Sequence, residues 1–308
     1  MVTSALVALR WTDILPKFDP RSRPVYLLLV VLGAVTISSL AYTGIDVSRA
    51  FNPNVLYLGS FLIFVSTMLR RAGRDQWGTF IETLTLLFGH GGIIAALQFP
   101  LATAPFPFAD VAFNQIDRAL GFDWLSFANL FSAPRMLSFL DWAYRSMTWQ
   151  SAVVLGLLSI RGMTDRAWQF VTAAILVFAV AVLLFPLFPV DGTFALCGLR
   201  PANIPVFPSF CDYGPILHHL KDGSLRTLDP SMRVGLVSFP SAHAGAGFLL
   251  VWAVWPFPQL RWPSVVLNGA LMVGAIVIGG HYLIDVIGGA LIACAAATVV
   301  SRCVIVRG

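Results

Sequence analysis

The stretch GGHYLIDVIGG, residues 279 to 289, sets His281 and Asp285 four positions apart between two apolar runs. Polar groups at that spacing share one face of a helix. A neutral imidazole is a good nucleophile toward phosphorus. A carboxylate one turn away accepts the other ring N–H, fixing the tautomer and stabilising the charge that develops. A second set, Ser241 and His243, stands in SFPSAHAGAGF. There His243 is the candidate general acid, protonating an oxygen that would otherwise leave as an alkoxide. Ser241 and Ala242 open a predicted helix, whose hydroxyl and free backbone N–H groups suit phosphate oxygens. Phosphoryl transfer uses every member of this set. The same residues leave a rival reading open, a metal-dependent or proton-coupled membrane protein that uses His243, His281 and Asp285 as ligands or relay groups.

Such groups need elements to hold them, and composition says where those elements lie. The 308 residues are 57% hydrophobic and 11% charged, against about 25% charged in ordinary soluble domains. A water-facing globule cannot bury that much apolar surface. The expected fold is therefore all-α, a polytopic transmembrane helical bundle. Runs of about 20 apolar residues predict about eight spans, at 24–43, 54–69, 79–99, 137–159, 167–188, 240–257, 264–280 and 283–301. No long polar linker, internal repeat or low-complexity segment interrupts them. Residues 1–23 are expected to form a cytoplasmic N-terminal segment and 24–308 a single membrane-embedded domain, with a catalytic core at about 137–301.

Basic residues test the topology independently, because short cytoplasmic loops are rich in Lys and Arg. With the N-terminus inside, the inner segments receive Arg70, Arg71 and Arg74, then Arg161 and Arg166, then Arg261, and finally Arg302 and Arg307. The net charge of +5 is thus a topology signal directed at lipid headgroups, and nucleic acid is excluded as a partner. The outer segments are about 44–53, 104–136 and 189–239. In the second, Val111, Ile116, Leu120 and Phe127 recur at roughly helical spacing among Asp117, Arg118 and Asp123, which predicts an interfacial helix. The third carries His218, His219 and Lys221 and is too long for a simple connector. Ser241, His243 and His281 all return to this outer level. This places the protein in the cell (inner) membrane, its active site facing the outside or periplasm.

At these residues the chain resembles the type 2 phosphatidic acid phosphatase superfamily. FPSAHAGAG is similar to its Pro-Ser-Gly-His motif and GGHYLIDVIGG to its His-x3-Asp motif. The form FPSxH followed by HYxxDVxxG is closest to the inositolphosphotransferase branch, which includes the fungal inositol phosphorylceramide synthases. IDRALGFDW adds a weaker likeness. The resemblance implies a phosphohistidine at His281, proton donation by His243, orientation by Asp285 and phosphate contact through Ser241. It also implies a lipid phosphate substrate, with neither metal nor cofactor. Two departures stand out. The superfamily arginine six residues before the nucleophile falls at Ala275, although this branch often lacks it. The Lys-x6-Arg-Pro motif has Thr193 where lysine is expected, seven residues before Arg200-Pro201, while Arg226 and Arg233 have the spacing without the proline. A dianionic phosphate needs a cationic partner. Arg233 is the candidate by proximity to Ser241, Arg200 by pattern, and Arg226 by spacing.

The remaining polar residues have plainer roles. Asp141 and Arg145, four apart, are expected to neutralise each other, Arg145 keeping a possible second role toward the phosphate. Glu82 and His90 are read as structural groups of the third span. Cys197 and Cys211 share the third outer segment, where an oxidising exterior would allow a bridge.

Overall fold

The computed structural model describes residues 19–198, 213–232 and 234–305. They form thirteen helices and no named strand, so the all-α expectation holds. In chain order these are α1 Arg23–Thr43, α2 Asn54–Arg71, α3 Asp75–Ala102, α4 Asp110–Ala119, α5 Trp124–Leu130, α6 Pro134–Arg145, α7 Met147–Ile160, α8 Thr164–Leu184, α9 Thr193–Leu196, α10 Tyr213–Lys221, α11 Ala242–Val254, α12 Pro258–Val277 and α13 Leu283–Ile305.

Among the described residues five helices are long and apolar enough to cross a membrane, at Pro20–Thr43, Asp75–Ala102, Thr164–Leu187, Pro258–Val277 and Leu283–Arg302. Three of the expected eight are absent from this set, and one of them, α2, is an 18-residue helix that ends in Arg70 and Arg71. The 13 residues of α11 reach about 20 Å at 1.5 Å per residue, short of a hydrocarbon core of about 30 Å. The run expected as one span at 137–159 is two helices, interrupted at Ser146. There the Ser146 N–H bonds the carbonyl of Ala143, three residues back, and its hydroxyl donates to the same oxygen. Gln150 then donates to Ser146 Oγ and accepts from the Asn268 amide of α12 at 3.0 Å. Hydropathy does not register such a polar chain.

The most deeply buried span is α8, which packs against α3, α11 and α13. Its buried residues include Ala167, Ala173, Ala174, Ala179 and Ala181, and small side chains let helix backbones approach closely in a bilayer. Leu249 and Leu250 of α11 and Ala293 of α13 complete this core.

The two ends of the bundle differ. At one, Arg166 lies over the Trp252 ring, Arg261 over Trp255 and Arg161 over Phe257. Arg21 joins Asp19 and Asp165 at the same end. Arg70, expected to face headgroups, is buried instead. Its guanidinium pairs with Glu82 at 2.6 Å and Asp19 at 3.3 Å, and Tyr26 donates to Glu82. A buried charge persists only when paired and hydrogen-bonded, and here the partners come from three elements. The His243 and His281 motifs sit at the opposite end.

Candidate active site

Three segments build the site: the loop 234–241, the N-terminus of α11, and the turn 279–282 that leads into α13. Ser241 caps α11, its Oγ accepting from the Ala244 N–H at 3.3 Å. The Ser241 N–H in turn donates to the Asp285 carbonyl at 2.9 Å, which ties the two motifs through the backbone. The helices can meet there because of Gly289. A Cβ at that position would stand 2.1 Å from the Ser241 carbonyl oxygen. Gly289→Ala is therefore expected to force α11 and α13 apart and destabilise the fold by about 1–3 kcal/mol or more. An unfolding midpoint in detergent equal to that of the unaltered protein would overturn this packing argument.

The turn itself needs Gly280, whose φ is +66° and whose Cβ would meet the Phe194 ring at 2.7 Å. Thr193, at the position of the superfamily lysine, donates both its hydroxyl and its N–H to the Gly280 carbonyl. It braces the turn where a lysine was expected to supply charge.

His281 and Asp285 are both buried. His281 Nδ1 lies 3.2 Å from Asp285 Oδ2, while Nε2 faces Ser241 Oγ at 3.3 Å. A carboxylate can only accept, so the pair holds Nδ1–H and leaves the Nε2 lone pair directed at the Ser241 hydroxyl. Two further donors hold the same Asp285 oxygen, Ser238 Oγ at 2.7 Å and the Tyr282 N–H at 3.0 Å. Ser238 Oγ is also 3.2 Å from His281 Nδ1. Asp285 Oδ1 has no partner among the described residues.

His243 approaches from α11. Tyr144 of α6 stacks on its ring with centroids 4.1 Å apart, and the Tyr144 hydroxyl is 3.2 Å from His243 Nδ1. A phenol donates to a neutral imidazole and accepts from an imidazolium, so this contact can hold the ring in both protonation states. A cavity of about 130 Å³ connects the groups, with Tyr144, Tyr213, Ser238, His243 and His281 among its walls.

The structure thus brings His281, Asp285, Ser241, Ala242 and His243 together. It does not bring Arg226 to them: that guanidinium bonds the carbonyls of Thr43 and Gly223. Arg200 and Arg233 lie outside the described residues, as does Cys211. Cys197 carries a free thiol. Arg145 pairs with Asp141 at 2.7 Å as expected.

The amphipathic helix α4 does more than the sequence indicates. Val111, Ile116 and Leu120 are exposed, while Asp117 is buried. Its two oxygens accept from the Leu283 and Ile284 N–H groups at 2.8 and 3.0 Å, satisfying the start of α13. Asp110 accepts from Tyr282 Oη and from the Asp191 and Gly192 N–H groups. Burial pushes both carboxyls above the usual range, against the pull of these hydrogen bonds. Spacing alone could have flagged Asp110 and Asp117, two acids seven positions apart on one face of an amphipathic helix. Ser238 and Tyr144 offered no such signal.

Long apolar helices enclose a His–Asp pair, a second histidine and a helix N-terminus, the arrangement expected from the resemblance to a membrane phosphatase superfamily. The comparison with family models agrees, a model of the PAP2 superfamily matching residues 111–299. The chain belongs to that superfamily, whose members are phosphatases and phosphotransferases. No curated protein and no solved structure matches it.

Proposed function

We propose that the protein transfers the phosphoryl group of a lipid-linked phosphate ester to water or to an alcohol through a phosphohistidine at His281. The supporting observation is the His281–Asp285 pair, its Nε2 free of the carboxylate and lining one cavity with His243. In the first step Nε2 attacks phosphorus, the bond to the leaving oxygen breaks, and His243 supplies that oxygen with a proton. Asp285 stabilises the positive charge that grows on the ring. In the second step water or an alcohol gives its proton to His243 as its oxygen attacks phosphorus, and the P–N bond breaks. Ser241 and the backbone N–H groups of Ala242 and His243 at the start of α11 receive the phosphoryl oxygens. Arg233 is the proposed cation, since Gly235, two residues on, already lines the cavity. Arg200 is the alternative. The motif pattern favours the inositolphosphotransferase branch, and the basic residues favour a site on the outer face of the cell membrane.

The test is phosphate release by the purified protein from a panel of lipid phosphates, with and without candidate alcohols. Turnover is expected to persist in chelators and to be blocked by vanadate. Loss of turnover on chelation would instead support the metal-dependent reading.

A further inference from the structure

The two histidines of the site are held by different partners. His281 Nδ1 has the Asp285 carboxylate at 3.2 Å. His243 Nδ1 has instead the Tyr144 hydroxyl, also at 3.2 Å, and the two rings lie nearly parallel, 20° apart, with centroids 4.1 Å from each other. The packing of α6 on α12 prepares this place. Leu140 and Tyr144, one turn apart on α6, are buried in one cluster with Ala275 and Val277 of α12. Gly274 lets the two helices close, since a Cβ there would stand 2.8 Å from the Leu140 carbonyl oxygen and 3.2 Å from Tyr144 Cβ. The hydroxyl then reaches the turn before His281, where a Cβ on Gly279 would stand 3.3 Å from it. Tyr144 thus lines the cavity that the two histidines share.

We infer that Tyr144 is the positioning residue of His243: it holds Nδ1, leaves Nε2 to the leaving oxygen, and stabilises the imidazolium without gripping its proton. The inference rests on the phosphoryl-transfer reading. Its chemical reason is the difference between the two partners. A nucleophile gains positive charge as it attacks, and a carboxylate stabilises that charge by direct attraction. A general acid starts charged and must give its proton away. A carboxylate beside it would retain the proton, whereas a phenol is neutral. The phenol oxygen accepts from Nδ1–H, and the ring face attracts the cation. In the first step the Nε2–H bond of His243 breaks, the proton goes to the leaving oxygen, and the ring becomes neutral. In the second step the proton of water or of the alcohol passes to Nε2. Nδ1 keeps its proton throughout, and Tyr144 keeps its own.

The test compares kcat on an alkyl and an aryl phosphate for the unaltered protein, Tyr144→Phe, Tyr144→Leu, His243→Ala, and Tyr144→Phe combined with His243→Ala. Tyr144→Phe keeps the ring and its packing on Gly274 and removes only the oxygen. Its alkyl phosphate rate should fall about tenfold. Tyr144→Leu also removes the ring face, and its alkyl phosphate rate should fall about a hundredfold. In both variants the ratio of alkyl to aryl rate should drop, in the direction that His243→Ala takes. With His243 already replaced, Tyr144→Phe should change either rate by less than about twofold, because the group it positions is gone. A tyrosine with a structural role alone would lower both substrates alike and add its loss to that of His243→Ala. Either result, or an unchanged rate in Tyr144→Leu, would overturn the inference and leave the phosphoryl-transfer reading standing. An unaltered protein that turns over neither phosphate overturns that reading and the role of Tyr144 with it.

Discussion

His281→Ala is expected to reduce turnover of alkyl and aryl phosphates alike to background, whereas His243→Ala is expected to separate them. The covalent route runs through His281 Nε2, the one ring atom of that residue turned from Asp285 toward Ser241. Without it, no leaving group rescues the reaction. His243 matters only as far as the leaving oxygen needs a proton, and general acid catalysis contributes about 100- to 10,000-fold. An alkoxide leaves badly, so the alkyl phosphate should lose that full factor. A phenolate departs unaided, so the aryl phosphate should keep much of its rate. Asp285→Asn should slow both substrates together, since it disturbs the tautomer of the nucleophile and not the leaving group. The readout is the rate of each variant on the two substrates, with folding confirmed by the unfolding midpoint. If His243→Ala lost both equally while His281→Ala kept the aryl phosphate, the two roles would have to be exchanged.

The second large effect falls on a residue that touches no substrate. Asp117→Ala is expected to destabilise the protein by about 2–4 kcal/mol, because it strips the acceptor from two backbone N–H groups at the buried start of α13. Those donors adjoin Tyr282, whose N–H holds Asp285 and whose hydroxyl bonds Asp110. Turnover should therefore fall more than stability alone accounts for, even at temperatures where the variant remains folded. Asp141→Ala is the control. Asp141 carries instead a carboxylate–arginine pair whose arginine is exposed, and such pairs contribute about 1 kcal/mol or less. Equal midpoints for the Asp117 and Asp141 variants would show that α4 lies beside the site without bracing it.

The membrane class and the pairing of His281 with Asp285 were legible in the sequence because both are written locally. Hydropathy over about 20 residues marks a span, and the four-residue spacing of His281 and Asp285 suffices to pair them at the head of α13. Ser241 reads as the opening of a helix from its place before an apolar run, and the structure makes it the cap of α11. What the tertiary structure alone decided involves partners far apart in the chain, which no periodicity records. Ser238 meets Asp285 across 47 positions, Tyr144 meets His243 across 99, and Asp117 meets Leu283 across 166. Arg70 looked like a headgroup-facing loop charge, yet its desolvation is offset by Glu82 and Asp19 from elements that only the bundle brings together. The interruption at Ser146 has the same origin, since Asn268 of α12 stands behind the polar chain through Gln150 that meets the tightened turn. Local pattern determines which segments are helical and apolar; satisfying buried polar groups, each costing several kcal/mol if left unpaired in a bilayer, determines how those helices are cut, capped and placed.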